Sequence, residues 1–280
     1  GTEKMNQKNC HPREITAIRG AGDLASGIAL RLWRSGYRVI LSELPCPLCI
    51  RRSVAFANAV YEGHMAVEGI ESILIHDITE AETIWAEDKI PLLIDPDLTQ
   101  IKELNPSVII DARIMKSYRD DSHLGDAPLV IGLGPGFVAG ENAHAVIETN
   151  RGHDLGRVFW KGSAEPDTGT PGMIGGEGPK RVQKAPASGI FTPKVEIGDF
   201  IKEGDLLALV GDTEIRSPLT GMVRGVIYPG IFVNKGLKIM DIDPRGERRY
   251  CFTASDKANA LGGSVLEAIL TWNVRESALQ

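Results

Sequence analysis

The 280-residue sequence predicts an α/β fold: a parallel sheet followed by a small all-β unit. Three observations predict it. First, the apolar run Ile15 to Arg19 leads into Gly-Ala-Gly-Asp-Leu-Ala, then a helical stripe, then a second apolar run ending on Glu43. Second, four further runs are continuously apolar rather than alternating, as in strands covered on both faces. Third, residues 187–210 match residues 219–242 at a fixed offset of 32, the mark of an internal repeat.

The opening pattern fits G-x-G-x-x-[GA]. Gly20 permits a tight turn, Gly22 lets the backbone approach a pyrophosphate, and Ala25 lets helix and strand pack closely. The helix expected from Leu24 to Ser35 places Leu24, Ile28, Leu32 and Trp33 on a stripe. Its N-terminus, with Asp23 and Leu24, points free N–H groups at an anion. Glu43, 23 residues after Gly20, suits the two ribose hydroxyls and would repel a 2′-phosphate. This is a Rossmann-like pattern.

Further strands are expected in "SILIHDI" (72–78), "IPLLIDP" (90–96), "SVIIDARI" (107–114) and "PLVIGLGPGF" (128–137). Asp77, Asp95, Asp111 and Gly132 then fall at the carboxyl ends of strands, the edge where open α/β sheets bind ligands. Gly132, Gly134, Gly136 and Gly140 suggest a backbone cradle for an anion. Arg51 and Arg52 read either as partners for phosphate or carboxylate, or as a solvated pair. His153, in "RGHDLG", is a catalytic candidate or a loop residue. Of the cysteines Cys10, Cys46, Cys49 and Cys251, the pair in "CPLC" is either two loop thiols or a redox or metal pair; no second pair completes a zinc site.

Residues 161–186, rich in glycine and proline, read as a loop over the nucleotide site or as a linker. In the repeat, Gly189, Gly198, Phe200 and Gly204 recur as Gly221, Gly230, Phe232 and Gly236. "GDFIKEGDLL" followed by "EIRSPLTGMV" resembles the biotinyl/lipoyl barrel-sandwich hybrid. The join "VGDTEIRSPLTG" lacks the lysine a carrier would modify, which leaves a structural or docking module. Asp241, Asp243 and Arg245 form a polar cluster or a solvated turn, and "GGSVLEAIL" starts a helix capped near Gly262 to Ser264. The expected organisation is 1–160 nucleotide-binding, 161–186 loop, 187–242 barrel-sandwich, and 243–280 a tail and helix packed on the first domain.

The net charge of −6 argues against nucleic acid as a partner. No run approaches 18 consecutive apolar residues, so no membrane span is expected. The polar start "GTEKMNQKNCHPRE" has no leader-like apolar core, so the cytoplasm is the expected compartment.

"GAGDLASGIALRL", "IRRSVAFANAVYEG", "GLGPGFVAGENAHAVIETNRGHDLGRV", "DTGTPGMIGG" and "DIDPR…SDKANALGGSVLEAI" together resemble the YqeB-type family of selenium-dependent molybdenum hydroxylase system proteins. The first unit is also similar to xanthine dehydrogenase accessory factors. The resemblance implies a maturation factor for a molybdenum hydroxylase, holding an NAD-type dinucleotide or molybdenum pterin cofactor. Its implied partners are a hydroxylase subunit or other maturation proteins, and a homo-oligomer stays open. The alternative is an NAD-dependent oxidoreductase using the same site. The pattern does not favour hydride transfer, because it offers no clear acid–base pair beside a defined substrate pocket.

Overall fold

The computed structural model describes residues 13–279. Cys10 and most of the polar N-terminal stretch lie outside the described residues.

The large unit begins with β1 (Ile15–Arg19), α1 (Asp23–Arg34) and β2 (Arg38–Glu43). After two 3-10 turns come α2 (Ala59–Glu62), β3 (His64–Val67) and β4 (Ile70–Ile75), then α3 (Ala81–Ala86), β5 (Ile90–Ile94), β6 (Val108–Asp111) and β7 (Leu129–Leu133). Beyond the glycine loop lie β8 (Val138–Ala139), β9 (Ala145–Ile147), β10 (Val158–Phe159) and β11 (Gly162–Ser163). β8 and β11 form a separate two-stranded ribbon. The remaining nine strands form one sheet in the order β10-β9-β7-β6-β1-β2-β5-β4-β3.

The expected parallel Rossmann-like sheet is corrected by this topology. Seven central strands run parallel, but β3 and β10 run antiparallel at the two edges, so the sheet is mixed. The β3–β4 hairpin turns through Glu68 and Gly69, both at positive φ (48° and 82°). That is the geometry of a two-residue turn joining antiparallel strands. Apolar runs show that a strand is buried and leave its direction open. Several crossovers carry only 3-10 turns, as between β5 and β6, in place of full helices.

The second unit comprises β12 (Val182–Lys184), β13 (Gly189–Pro193), β14 (Phe200–Ile201), β15 (Leu206–Val210), β16 (Thr213–Arg216), β17 (Gly221–Val226), β18 (Phe232–Val233) and β19 (Lys238–Asp243). The repeat maps β13, β14 and β15 onto β17, β18 and β19 and appears as an exchange of strands. Phe200 pairs with Met222, and its counterpart Phe232 pairs with Ile190. The turns follow the same symmetry: Gly198 N–H donates to Val223 O, and Gly230 N–H to Phe191 O.

The barrel-sandwich domain expected over 187–242 is likewise corrected. The strands form two four-stranded antiparallel sheets, β12-β19-β17-β14 and β16-β15-β13-β18, and take in β12 from ahead of the repeat. Their apolar cluster also packs on Ile50 of the large unit.

The chain returns through α4 (Asp256–Leu279). It starts well before Gly262, so the glycine pair lies inside the helix. A Cβ on Gly262 would stand 2.9 Å from Arg31 Cβ, and one on Gly27 would stand 2.5 Å from Ala258 Cβ. These glycines let the backbones of α1 and α4 approach closely.

Gly132 in β7 is packed just as tightly, because a Cβ there would lie 2.2 Å from Cγ of the buried Phe137. Gly132→Ala is therefore expected to lose about 1–3 kcal/mol by overpacking, read from the midpoint of urea unfolding.

Candidate functional site

β1 lies between β2 and β6, so the chain leaves it in opposite directions and a crevice opens at the strands' carboxyl edge. The first turn is built there. Gly20 has φ +98°, and a Cβ on it would press 3.3 Å from the Ala112 backbone. Gly20 N–H donates to Ser42 O at 2.9 Å, and Ala57 N–H donates to Ala21 O at 2.8 Å. Gly22 differs. It caps α1 at φ −66°, and nothing lies within 4 Å of where its Cβ would stand. Its backbone faces a cleft.

That cleft, about 770 Å³, runs from Gly20, Gly22, Asp23, Leu24 and Ala25 across Glu43 to the Pro47–Ile50 segment, with Ala112–Met115 opposite. Leu237 and Lys238 of the second unit close one side. Glu43 Oε2 accepts Ala21 N–H at 2.9 Å, and Oε1 accepts Leu44 N–H at 2.7 Å. Burial raises the Glu43 carboxyl pKa, and those two N–H donors oppose the rise. Each oxygen keeps a second lone pair for a hydroxyl donor.

The floor is ionic. Arg19, 6% exposed, donates to Pro96 O and lies 3.2 Å from Asp121. Arg113 bridges Asp111 and Asp121, bonding the latter at 2.8 and 3.0 Å. Hydrogen bonding from Arg113 holds the Asp121 carboxyl well below the usual range, against a smaller opposing effect of burial. Arg19, Arg113, Arg119 and Asp121 were missed in the sequence. For Arg113, Arg119 and Asp121 the available signal is charge density just after a strand end, in "DARIMKSYRDD"; Arg19 is the last residue of β1.

Of the residues singled out in the sequence, Gly20, Gly22, Asp23, Leu24, Ala25 and Glu43 meet at one cleft, with Asp111 beneath its floor bound to Arg113. Arg51 lines an adjoining chamber. Arg52 points elsewhere: its Nε donates to Val226 O at 2.7 Å, and its guanidinium stacks on Tyr228.

Gly134 and Gly136 join Gly132 in being packed by the protein itself. Cβ atoms there would meet Thr149 Oγ1 at 2.8 Å and Ser117 O at 2.2 Å. Gly134 N–H is spent on Ile147 O, and the Asn142 amide donates to Gly136 O. His153 is exposed and lines neither cavity.

Cys46 is exposed beside the Tyr61 hydroxyl, while Cys49 lines the cleft with its thiol pushed up to about 12 by burial. Among the described residues, no group of three or more His, Cys, Asp or Glu side chains could hold a metal ion. No helix of the described residues is long and apolar enough to cross a membrane.

Gly22→Val tests the cleft directly. The backbone there suits any residue, so unfolding should be nearly unchanged, while the side chain enters the space beside the turn. Any ligand seated on that turn should bind at least roughly tenfold more weakly in calorimetric titration, a loss of about 1.4 kcal/mol.

No family model matches the chain. Over 268 residues it is 48% identical to "Uncharacterized protein YqeB" of Escherichia coli K12, a match covering 95% of this chain and 49% of that protein. The chain thus spans about half the length of the curated relative it matches. Among solved structures, a succinylglutamate desuccinylase from a Silicibacter species aligns over 82% of this chain and 84% of its own, at 11% identity and TM-score 0.25. The apo ectoine utilization protein EutE of Ruegeria pomeroyi aligns over 82% and 85%, also at 11% and 0.25. An aspartoacylase family protein of Mesorhizobium loti covers 30% of this chain and 32% of its own, at 18% and 0.22. Similarity this low carries no argument about chemistry. The sequence match does show kinship: the chain belongs to the YqeB-type family.

Proposed function

We propose that this chain binds a nucleotide-bearing ligand, an NAD-type dinucleotide or a molybdenum pterin dinucleotide, and acts as an accessory factor in maturing a molybdenum hydroxylase. The observation that supports the binding step is the unobstructed space at Gly22, at the N-terminus of α1 and beside Glu43. Free N–H groups of a first helical turn attract a phosphate, and a carboxylate at the end of the neighbouring strand accepts ribose hydroxyls. The apolar stretch through Pro47, Leu48 and Ile50 offers a surface for a flat ring. The maturation role rests on the motif resemblance, with a hydroxylase subunit as the client.

The oxidoreductase reading finds less support. Among the described residues lining the cleft there is no histidine, and its one thiol, Cys49, stays protonated at neutral pH.

Titration with NAD, NADH and molybdopterin dinucleotide, followed by calorimetry and absorbance, tests the proposal. Saturable binding of at least one, lost in Gly22→Val, supports it. Absence of binding by all three overturns it. Capture of a hydroxylase subunit by the purified chain tests the client.

The pH dependence follows from Glu43. Only its ionised form accepts from both ribose hydroxyls, and burial raises its pKa. Affinity should therefore be full at neutral pH and should fall on acidification before an ordinary glutamate would protonate. Glu43→Gln should bind more weakly at pH 7, and this acid-dependent loss should be absent from its titration curve.

A further inference from the structure

Beside the cleft, and sharing Asp23, Leu24 and Ile114 with it, lies a second cavity of about 660 Å³. Its roof is the segment from Glu165 to Ile174, and its walls include Arg51, Arg151, Arg181, Arg224 and Lys257. We propose that this chamber binds a phosphoryl anion of the pyrophosphate class, held by Arg51, Arg181, Arg224 and Lys257.

The argument is one of buried donors left without acceptors. The side chains of Arg51, Arg181 and Arg224 are 7%, 6% and 9% exposed. Two buried aspartates answer them. Asp241 takes both Arg181 and Arg224, at 2.8 and 2.7 Å. Asp243 is engaged by Arg245 in a two-pronged contact and stands 3.7 Å from Arg224. Arg51 donates to Tyr250 O at 2.8 Å and pairs with the partly exposed Asp23 at 3.8 Å, while burial and then the charge of Arg224 disfavour its cation. The Nε atoms of both Arg51 and Arg181 are buried without a hydrogen-bond partner. Lys257, on the first turn of α4, also lines the chamber, and burial lowers its pKa.

The acidic groups in the same cavity, among them Glu148 at 1% exposure, already accept hydrogen bonds or pair with a cation. Glu148 accepts Asn150 and Glu165 backbone N–H groups, both at 2.8 Å. Asp167 pairs with Lys116 at 2.9 Å. Glu165 accepts from the Asn150 amide at 2.7 Å. What remains is the unpaired donor capacity of the buried guanidinium groups, which suits an anion with several acceptor oxygens. The proposal does not rest on the nucleotide reading. The anion is either free or the phosphate bridge of a molecule lying in the neighbouring cleft.

Calorimetric titration of the full chain with inorganic pyrophosphate tests it, on wild type and Lys257→Met. Wild type should bind, and Lys257→Met, at a partly exposed position, should fold normally and bind at least roughly tenfold more weakly. Raising ionic strength from about 0.01 to about 0.1 M shortens the screening length from about 30 to about 10 Å and should weaken binding in wild type. Repeating the titration with NAD present separates the two sources: competition marks the bridge of a nucleotide, and independence marks a free anion. No pyrophosphate binding at low salt, or equal binding by wild type and Lys257→Met, overturns the proposal. Pyrophosphate binding without any nucleotide binding would retain this site and sink only the proposed nucleotide ligand.

Discussion

The contact between the segment after β2 and strand β17 holds the site together. Val226 N–H donates to Ile50 O at 2.7 Å, and Gly225 lets the backbones meet, since a Cβ there would stand 3.1 Å from that same oxygen. Arg52 reinforces the seam from one side through Val226 O, and Arg51 from the other through Tyr250 O at 2.8 Å. This short backbone joint brings the second unit's Arg181, Arg224 and Asp241 against the start of α1. Without it, neither cavity would have its far wall.

The two cavities divide the chemistry between them. The cleft is mostly apolar above an ionic floor, with the Glu43 carboxylate at its edge. The chamber is cationic. Moving a charge into a protein interior costs several kcal/mol even after relaxation, whereas a typical net hydrogen bond contributes about 1 kcal/mol. Hydrogen bonds such as that from Arg51 to Tyr250 O therefore offset only part of the burial of three guanidinium groups. Asp241 and Asp243 supply the rest in part. The same ledger explains why Asp241 and Asp243, at 2% and 0% exposure, are a buried ionic cluster and not a solvated turn.

The second unit shows how a repeat becomes a structure. Each half contributes a two-residue strand that its own half does not pair: β14 lies on β17 and β18 on β13. Matching glycines at 198 and 230, both at positive φ, turn the chain toward the other half. The equivalent phenylalanines Phe200 and Phe232 stay exposed, at 58% and 62%.

By itself the sequence determined whatever depends on neighbours along the chain: the glycine turn with its helix and acid, the buried central strands, and the repeat with its offset of 32. Local geometry and burial leave a mark in residue order, so these were legible. Tertiary structure alone decided the direction of the edge strands, since hydrogen-bond partners carry no signature in an apolar run. It decided that Gly132, Gly134 and Gly136 pack against Phe137, Thr149 and Ser117, where the residue pattern suggested a cradle. It also set the different roles of Arg51 and Arg52, both at the seam, of which Arg51 also lines the chamber. The chamber's cations come from positions 51, 181, 224 and 257, and only folding brings their charges within reach of one another.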